Sequence, residues 1–344
     1  MSNIVIMKSK PIVDAEKPKL KEEVTHLNKI SRNPVSLIIV TTNTDDASKV
    51  YVRNKQKLCE ELGIKCAIIG PDDIKTGYEE CFKGNKLYDK ISGIKHKENY
   101  KYISDIIADY FDLTFIPDNS SYRYSCILQL PIDEKSKNDI NLFERLSKHI
   151  WDYRLDADKF GYESVLNLYL GRNNSKSEID EHNYLPCTVQ GIIDILDYYK
   201  IQVEGKHVVI IGRSNIVGKP TALALLNKNA TVTICHSKTE NLKDITKSAD
   251  IIISAIGKPK FVTTEFISEK TEAIIDVGIN RDENNKLCGD CDYNNIVEYW
   301  NSLNSDKTKY ITPVPGGIGP LTVLNLMKNV ISLHKFHNPD LIEK

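Results

Sequence analysis

The sequence predicts an α/β protein built as two domains. Three observations carry this. The chain has 344 residues, and about 150 residues per domain is a common size. From residue 187 onward, short apolar runs alternate with helical patterns, as in a parallel sheet with helices on both faces. One of those runs ends in a glycine turn that opens the next helix, over 208–220.

In chain order, Leu20, Val24, Leu27 and Ile30 recur at helical spacing within 18–31, and Pro34 ends that helix. Val35 to Val40 reads as a buried strand running into the turn-rich TTNTDD. Asp46 can cap a helix over 47–62 that closes at Gly63, and Cys66 to Ile69 reads as the next strand. Residues 72–99 are rich in Lys, Asn, Gly, Asp and Glu and weakly periodic, and read as a surface insertion. A helix near 100–113 and a strand from Ser125 to Leu130 follow, and 171–183 is a second polar loop. Beyond it come a helix over 188–200, a strand over His207–Ile211, a helix over Gly218–Asn227, a strand over 231–235, a helix near 241–247, and strands over 250–255 and 273–277.

Composition narrows the function classes. Lys and Arg number 46 against 47 Asp and Glu, a formal charge of −1. This lacks the basic field that nucleic acid or an anionic membrane selects. No apolar run approaches the 18 or so residues of a spanning helix, and the N-terminus carries no secretory pattern. Eight scattered cysteines suit an intracellular compartment rather than a disulfide framework. Cys288-Gly289-Asp290-Cys291 reads as two reduced thiols, since no second pair or His cluster lies near it in sequence. No metal is expected. The cytoplasm is the expected location, with the mitochondrion as the alternative.

The run Val208 to Ile211 followed by Gly212-Arg213-Ser214-Asn215-Ile216-Val217-Gly218 is a strand, a glycine turn and a helix start. Gly212 permits a sharp turn and Gly218 lets the helix pack close. The helix N-terminus then offers N–H groups and a positive dipole end to a pyrophosphate. This describes a Rossmann-like dinucleotide-binding domain, although Ser214 holds the usual middle glycine position. The next strand ends at Cys235-His236-Ser237-Lys238-Thr239, where an NAD domain carries an acid for the ribose. A His, a hydroxyl and a Lys stand there instead, with Arg213 nearby. They suit a 2′-phosphate, so NADP is the expected cofactor; Lys238 alone also reads as a solvated loop residue.

Several strings together resemble the bifunctional methylenetetrahydrofolate dehydrogenase/methenyltetrahydrofolate cyclohydrolase family of FolD type. They are ASKVYVRNKQKLCEELGI (47–64), ILQLPI (127–132), LPCTVQG (185–191), GRSNIVGKP (212–220), CHSKT (235–239), ADIIISAIGKP (249–259), DVGIN (276–280) and TPVPGGIGPLT (312–322). The likeness spans about 20 to 335, apart from the two polar insertions. It implies two α/β domains around a cleft. The folate and catalytic domain would be 1–160, completed by a C-terminal helix at 321–344, and the NADP-binding domain would be 187–312. It also implies tetrahydrofolate derivatives as partners and a homodimer.

The resemblance assigns roles residue by residue. Tyr51 would cover the pterin and Lys55 would be the central catalytic group. The two are four apart, so they share a helix face. Read alone, Lys55 is an ordinary solvated lysine; a lysine carries protons when burial or neighbours lower its pKa. Gln129 would touch Lys55 and set its position and protonation. Asp158 matches the second Asp of the family's KDVDGF string and would bind the amino-pyrimidine edge of the pterin. Around it the sequence departs from the family: Leu155 stands for Lys, Lys159 for Gly, and Gly161 and Ser164 for the following His and Asn. Pro315, Gly316 and Gly317 would line the folate site. Gly212, Arg213, Ser214, Ile216, Val217, Gly218, His236, Ser237 and Ile279 would hold NADP. Two rival readings remain: a dehydrogenase that has lost the cyclohydrolase step, and a non-catalytic folate- or NADP-binding homologue.

Overall fold

The computed structural model describes residues 3–41, 46–69, 125–129, 155–172, 184–303 and 306–338. The expected insertion at 72–99, the helix near 100–113, most of the 171–183 loop and the Asp46 side chain lie outside these residues. The chain divides into two compact units, one of 1–18 with 165–325, the other of 19–164 with 326–344.

The first unit is built on six parallel strands: β1 (Ile4–Ile6), β5 (His207–Ile211), β6 (Thr231–Cys235), β7 (Ile251–Ser254), β8 (Ala273–Asp276) and β11 (Lys309–Ile311). Their order is β1-β11-β8-β7-β5-β6. β7 and β8 are buried at every position, because helices cover both faces of a central parallel strand. That is why III (251–253) and AII (273–275) are unbroken apolar runs; each buried isoleucine stabilises by about 2 kcal/mol. The core joins Val209, Ile252 and Ile274 to Phe266, Ile296 and Trp300. Helices α4 (Cys187–Tyr198), α5 (Gly218–Leu226), α6 (Leu242–Lys247) and α7 (Tyr293–Ser302) belong to this unit. A small hairpin, β9 (Asn280–Arg281) with β10 (Leu287–Cys288), completes it.

The N-terminal strand β1 pairs with β11, Ile4 opposite Lys309. Residues 1–18 therefore lie with the nucleotide sheet, where the sequence reading had put 1–160 in the other domain. A three-residue strand is too short to show periodicity, and its partner is distant in sequence.

The second unit holds a parallel sheet ordered β3-β2-β4, from β2 (Ser36–Thr41), β3 (Lys65–Ile69) and β4 (Ser125–Gln129). The helix α2 (Asp46–Leu62) connects β2 to β3. The unit boundaries fall inside α1 (Lys10–Ile30) and α8 (Ile318–His337). α1 begins well before the expected residue 18. Pro11 sits in its first turn, where no N–H is needed, and Pro18 is carried inside. Leu20, Val24 and Leu27 are buried as expected, whereas Ile30 is 43% exposed at the helix end. A further boundary, between Ser164 and Val165, falls inside α3 (Tyr162–Tyr169). Among the described residues no helix is long and apolar enough to cross a membrane.

Candidate active site

α2 presents Val52, Lys55, Cys59 and Leu62 on one buried stripe. Lys55 thus occupies an apolar position, 7% exposed. A buried amino group needs a hydrogen-bond partner, and Lys55 Nζ donates to Gln129 Oε1 at 3.0 Å. Gln129 is itself buried, at the carboxyl end of β4 and in register with Thr41 at the end of β2. Carboxyl ends of parallel strands are where α/β proteins gather their chemistry. Tyr51, half-buried one turn before Lys55, has its phenol pushed up to about 12 by burial and therefore stays neutral.

Asp158 is buried on the turn that follows a short bridge to β4. Cys126 N–H donates to Leu155 O at 2.8 Å and Ala157 N–H to Cys126 O at 3.2 Å. Asn329 Nδ2 donates to Ala157 O at 2.8 Å. The turn is closed by Asp156, fully buried, whose Oδ1 accepts Lys159 N–H at 2.8 Å and Oδ2 accepts Gly161 N–H at 2.7 Å. Lys159, standing where the family has glycine, keeps a left-handed backbone with φ 64°. A side chain there costs about 1–2 kcal/mol. The turn therefore has the conformation glycine would favour, without the glycine. Sequence reading missed Asp156, whose role depends on the fold.

In the nucleotide loop Gly212 has φ 130°, and a Cβ there would stand 2.4 Å from Ala255 O. At Gly218 a Cβ would stand 2.3 Å from Gly212 O. The two glycines thus let strand end and helix start touch. The expectation of open helix-end N–H groups needs correction. Val217 and Gly218 N–H donate to Ser214 Oγ at 3.1 and 3.2 Å, and Lys219 N–H to Ser214 O at 3.0 Å. Pro220 carries no N–H. With two bonds accepted, the Ser214 hydroxyl still has its proton to donate. Arg213, Ser214, Ser237 and Lys238 are exposed, Ile216, Val217 and His236 half-buried. His236 Nδ1 accepts Lys238 N–H at 3.1 Å, so neutral His236 carries its proton on Nε2.

The tetrahydrofolate dehydrogenase/cyclohydrolase catalytic domain matches residues 7–99, and the NAD(P)-binding domain of the same family matches 186–338. The chain is 40% identical over 327 residues to the bifunctional protein FolD of Lachnoclostridium phytofermentans, covering 95% of this chain and 96% of that one. This chain belongs to the tetrahydrofolate dehydrogenase/cyclohydrolase family. Its fold matches the bifunctional enzyme FolD from Campylobacter jejuni with TM-score 0.72 at 29% identity, over 97% of this chain and 99% of that one. It also matches Trypanosoma brucei FolD, solved with NADP cofactor and inhibitor, with TM-score 0.73 at 25% identity, over 98% and 99%.

In this family member the loops after β7 and β8 are held by two buried carboxylates. Asp290 accepts Ser254 Oγ–H at 3.1 Å, Ile256 N–H at 2.8 Å, Lys258 N–H at 2.9 Å and Asn280 Nδ2 at 2.9 Å. Asp276 accepts Gly278, Asp290 and Cys291 N–H at 3.1, 2.9 and 2.8 Å. Burial pushes Asp276 up to about 6 against these donors. The pair fixes the segment carrying Ile279. Cys291 packs in the core while Cys288 lies in the hairpin, both free thiols. The TPVPGG loop contains a cis Val314–Pro315 bond, and Gly316 has φ 103°. Ser9 N–H and Oγ–H both donate to Gly316 O at 2.9 Å. Pro315, Gly316 and Gly317 therefore sit in the nucleotide-sheet unit, tied to the segment that follows β1. Among the described residues no group of three His, Cys, Asp or Glu side chains is arranged to hold a metal.

Proposed function

We propose that this chain oxidises 5,10-methylenetetrahydrofolate with NADP and hydrolyses the product to 10-formyltetrahydrofolate. The buried Lys55–Gln129 contact is the observation that carries this reading, on top of the family match in both domains. Folate would lie over Tyr51, with its amino-pyrimidine edge on Asp158. NADP fits a loop whose glycines leave no room for a Cβ; when bound, it supplies the hydride acceptor. Gly212, Ile216, Val217, Gly218 and Ile279 would shape its site. Arg213, the Ser214 hydroxyl, His236 and Ser237 would take its phosphates.

In the oxidation, the protein's task is alignment and exclusion of water. In the hydrolysis, water adds to the bridge carbon and the bond to N5 breaks. Lys55, as the unprotonated amine, would take one proton from the attacking water and give it to N5; the adduct's hydroxyl proton would leave to solvent as the formyl C=O forms, with Gln129 fixing the amine's direction. The retained turn at Asp158 favours a full bifunctional enzyme over a dehydrogenase alone, because Lys159 keeps the glycine-like backbone. Assay of the two half-reactions is expected to show methenyl absorbance appearing with NADP and then decaying. Appearance without catalysed decay would leave a dehydrogenase only; neither would leave a binding protein.

Arg213→Ala is expected to weaken NADP about tenfold or more, as loss of a charge-assisted phosphate contact does. NAD should change by less than about threefold. Equal losses in titration of the two cofactors would remove the 2′-phosphate reading. We also infer a cytoplasmic homodimer, on the family resemblance. A monomer mass of 39.0 kDa in light scattering would count against the dimer.

A further inference from the structure

We propose that Asp156 is a positioning residue for folate binding: its carboxylate closes the turn that holds Asp158 in place. This rests on Asp158 being the pterin anchor. The geometry is a ring inside which Asp158 lies. Asp156 reaches three residues forward to Lys159 N–H with one oxygen and five forward to Gly161 N–H with the other. On the near side the backbone is stitched to β4 through Cys126, and Asn329 holds the Ala157 carbonyl. The far side has no glycine at the left-handed position, since Lys159 occupies it at φ 64°. Two acceptor bonds from one buried carboxylate oppose the tendency of Lys159 to leave that conformation. An amide cannot replace the carboxylate. Asparagine offers one acceptor oxygen, and its NH2 would face a backbone N–H donor to donor.

The same geometry makes folate binding pH-dependent. The described groups that bear on Asp156 are the Lys159 ammonium, the Asp158 carboxylate and the Cys126 thiol, which burial keeps neutral. Burial pushes Asp156 up to about 7, against the pull of Lys159 and the two N–H donors. The ionised form accepts both bonds. As pH falls through about 7 a proton occupies one oxygen, one bond is lost and the turn loosens, so the folate KM should rise.

The test compares D156N, D158N and D156N/K159G in the full chain, in the NADP-dependent direction. D156N is expected to raise the folate KM at least tenfold, with kcat within threefold and NADP affinity unchanged. K159G in that background should bring the KM back at least threefold, because glycine adopts the left-handed turn unaided. The wild-type KM should rise between pH 8 and pH 6, and that of D156N should stay flat. If D158N raises the KM while D156N leaves it within twofold, the positioning role is overturned and the anchor reading stands. If D158N leaves the KM unchanged, the anchor reading fails and takes the positioning role with it. Should D156N not fold, the wild-type profile decides: a KM flat from pH 8 to pH 6 overturns the inference.

Discussion

Lys55→Ala protein is expected to lose methenyl hydrolysis by about 10²- to 10⁴-fold, the range for removing a positioned proton carrier. Its NADP affinity should stay within about twofold, since no cofactor contact is lost. The expectation follows from where the amine sits. Lys55 is 7% exposed on a stripe with Val52, Cys59 and Leu62, and its Nζ is aimed by Gln129 at 3.0 Å. A lysine kept for solubility would point into water and leave that stripe to leucine. Alanine cannot move a proton, and the vacated volume leaves the Gln129 carbonyl without this donor. The oxidation should fall less, because hydride transfer needs alignment more than proton transfer. Single-turnover measurement of methenyl decay checks this, with NADP titration as the folding control. Unchanged decay would remove Lys55 from the mechanism; loss of decay together with loss of NADP binding would point to misfolding instead.

Lys55 also marks the limit of sequence reading. Its helix, neighbours and spacing were legible, but nothing local separates a buried lysine from a solvated one except its place on the apolar stripe. Val52, Cys59 and Leu62 carry that signal; the assignment of Lys55 comes from the family resemblance. The central strands were legible because burial on both faces writes itself as HVVII, IIIS and AIID. β1 and β11 were not, since three-residue strands have no period and the pairing of Ile4 with Lys309 is non-local. Asp156 was invisible for a related reason. Two carboxylates two residues apart look alike in sequence, and only the fold turns one inward onto Lys159 and Gly161 N–H. Ser214 was read by position, as a stand-in for a glycine. Its hydrogen bonds to the Val217 and Gly218 amides depend on how the loop closes.

Gly212→Ala is expected to damage the nucleotide domain severely. The new Cβ would stand 2.4 Å from Ala255 O and 3.0 Å from Ala255 C, both backbone atoms. Neither side can give way easily. Gly212 N–H donates to Cys235 O at 2.9 Å and Ala255 N–H to Ile211 O at 2.8 Å, so the end of β5 is stitched to β6 on one side and to the end of β7 on the other. Gly212 also has φ 130°, a backbone that side chains rarely adopt. Strain of this kind costs roughly 1–3 kcal/mol, and the clash adds to it, so a loss of about 3 kcal/mol or more is expected. Because Gly212 O lies against Gly218, any shift is passed to the helix start and to the Ser214 bonds. NADP affinity should therefore fall at least about tenfold, the equivalent of 1.4 kcal/mol. Gly205→Ala separates the two causes. Gly205 has φ 70° but nothing within 4 Å of its Cβ position, so alanine there meets only the backbone cost of about 1–2 kcal/mol and should leave NADP binding intact. Thermal melting and cofactor titration of both variants check this. A Gly212→Ala protein that melts and binds NADP like Gly205→Ala would mean that the close approach of β5 and β7 does not shape the cofactor loop.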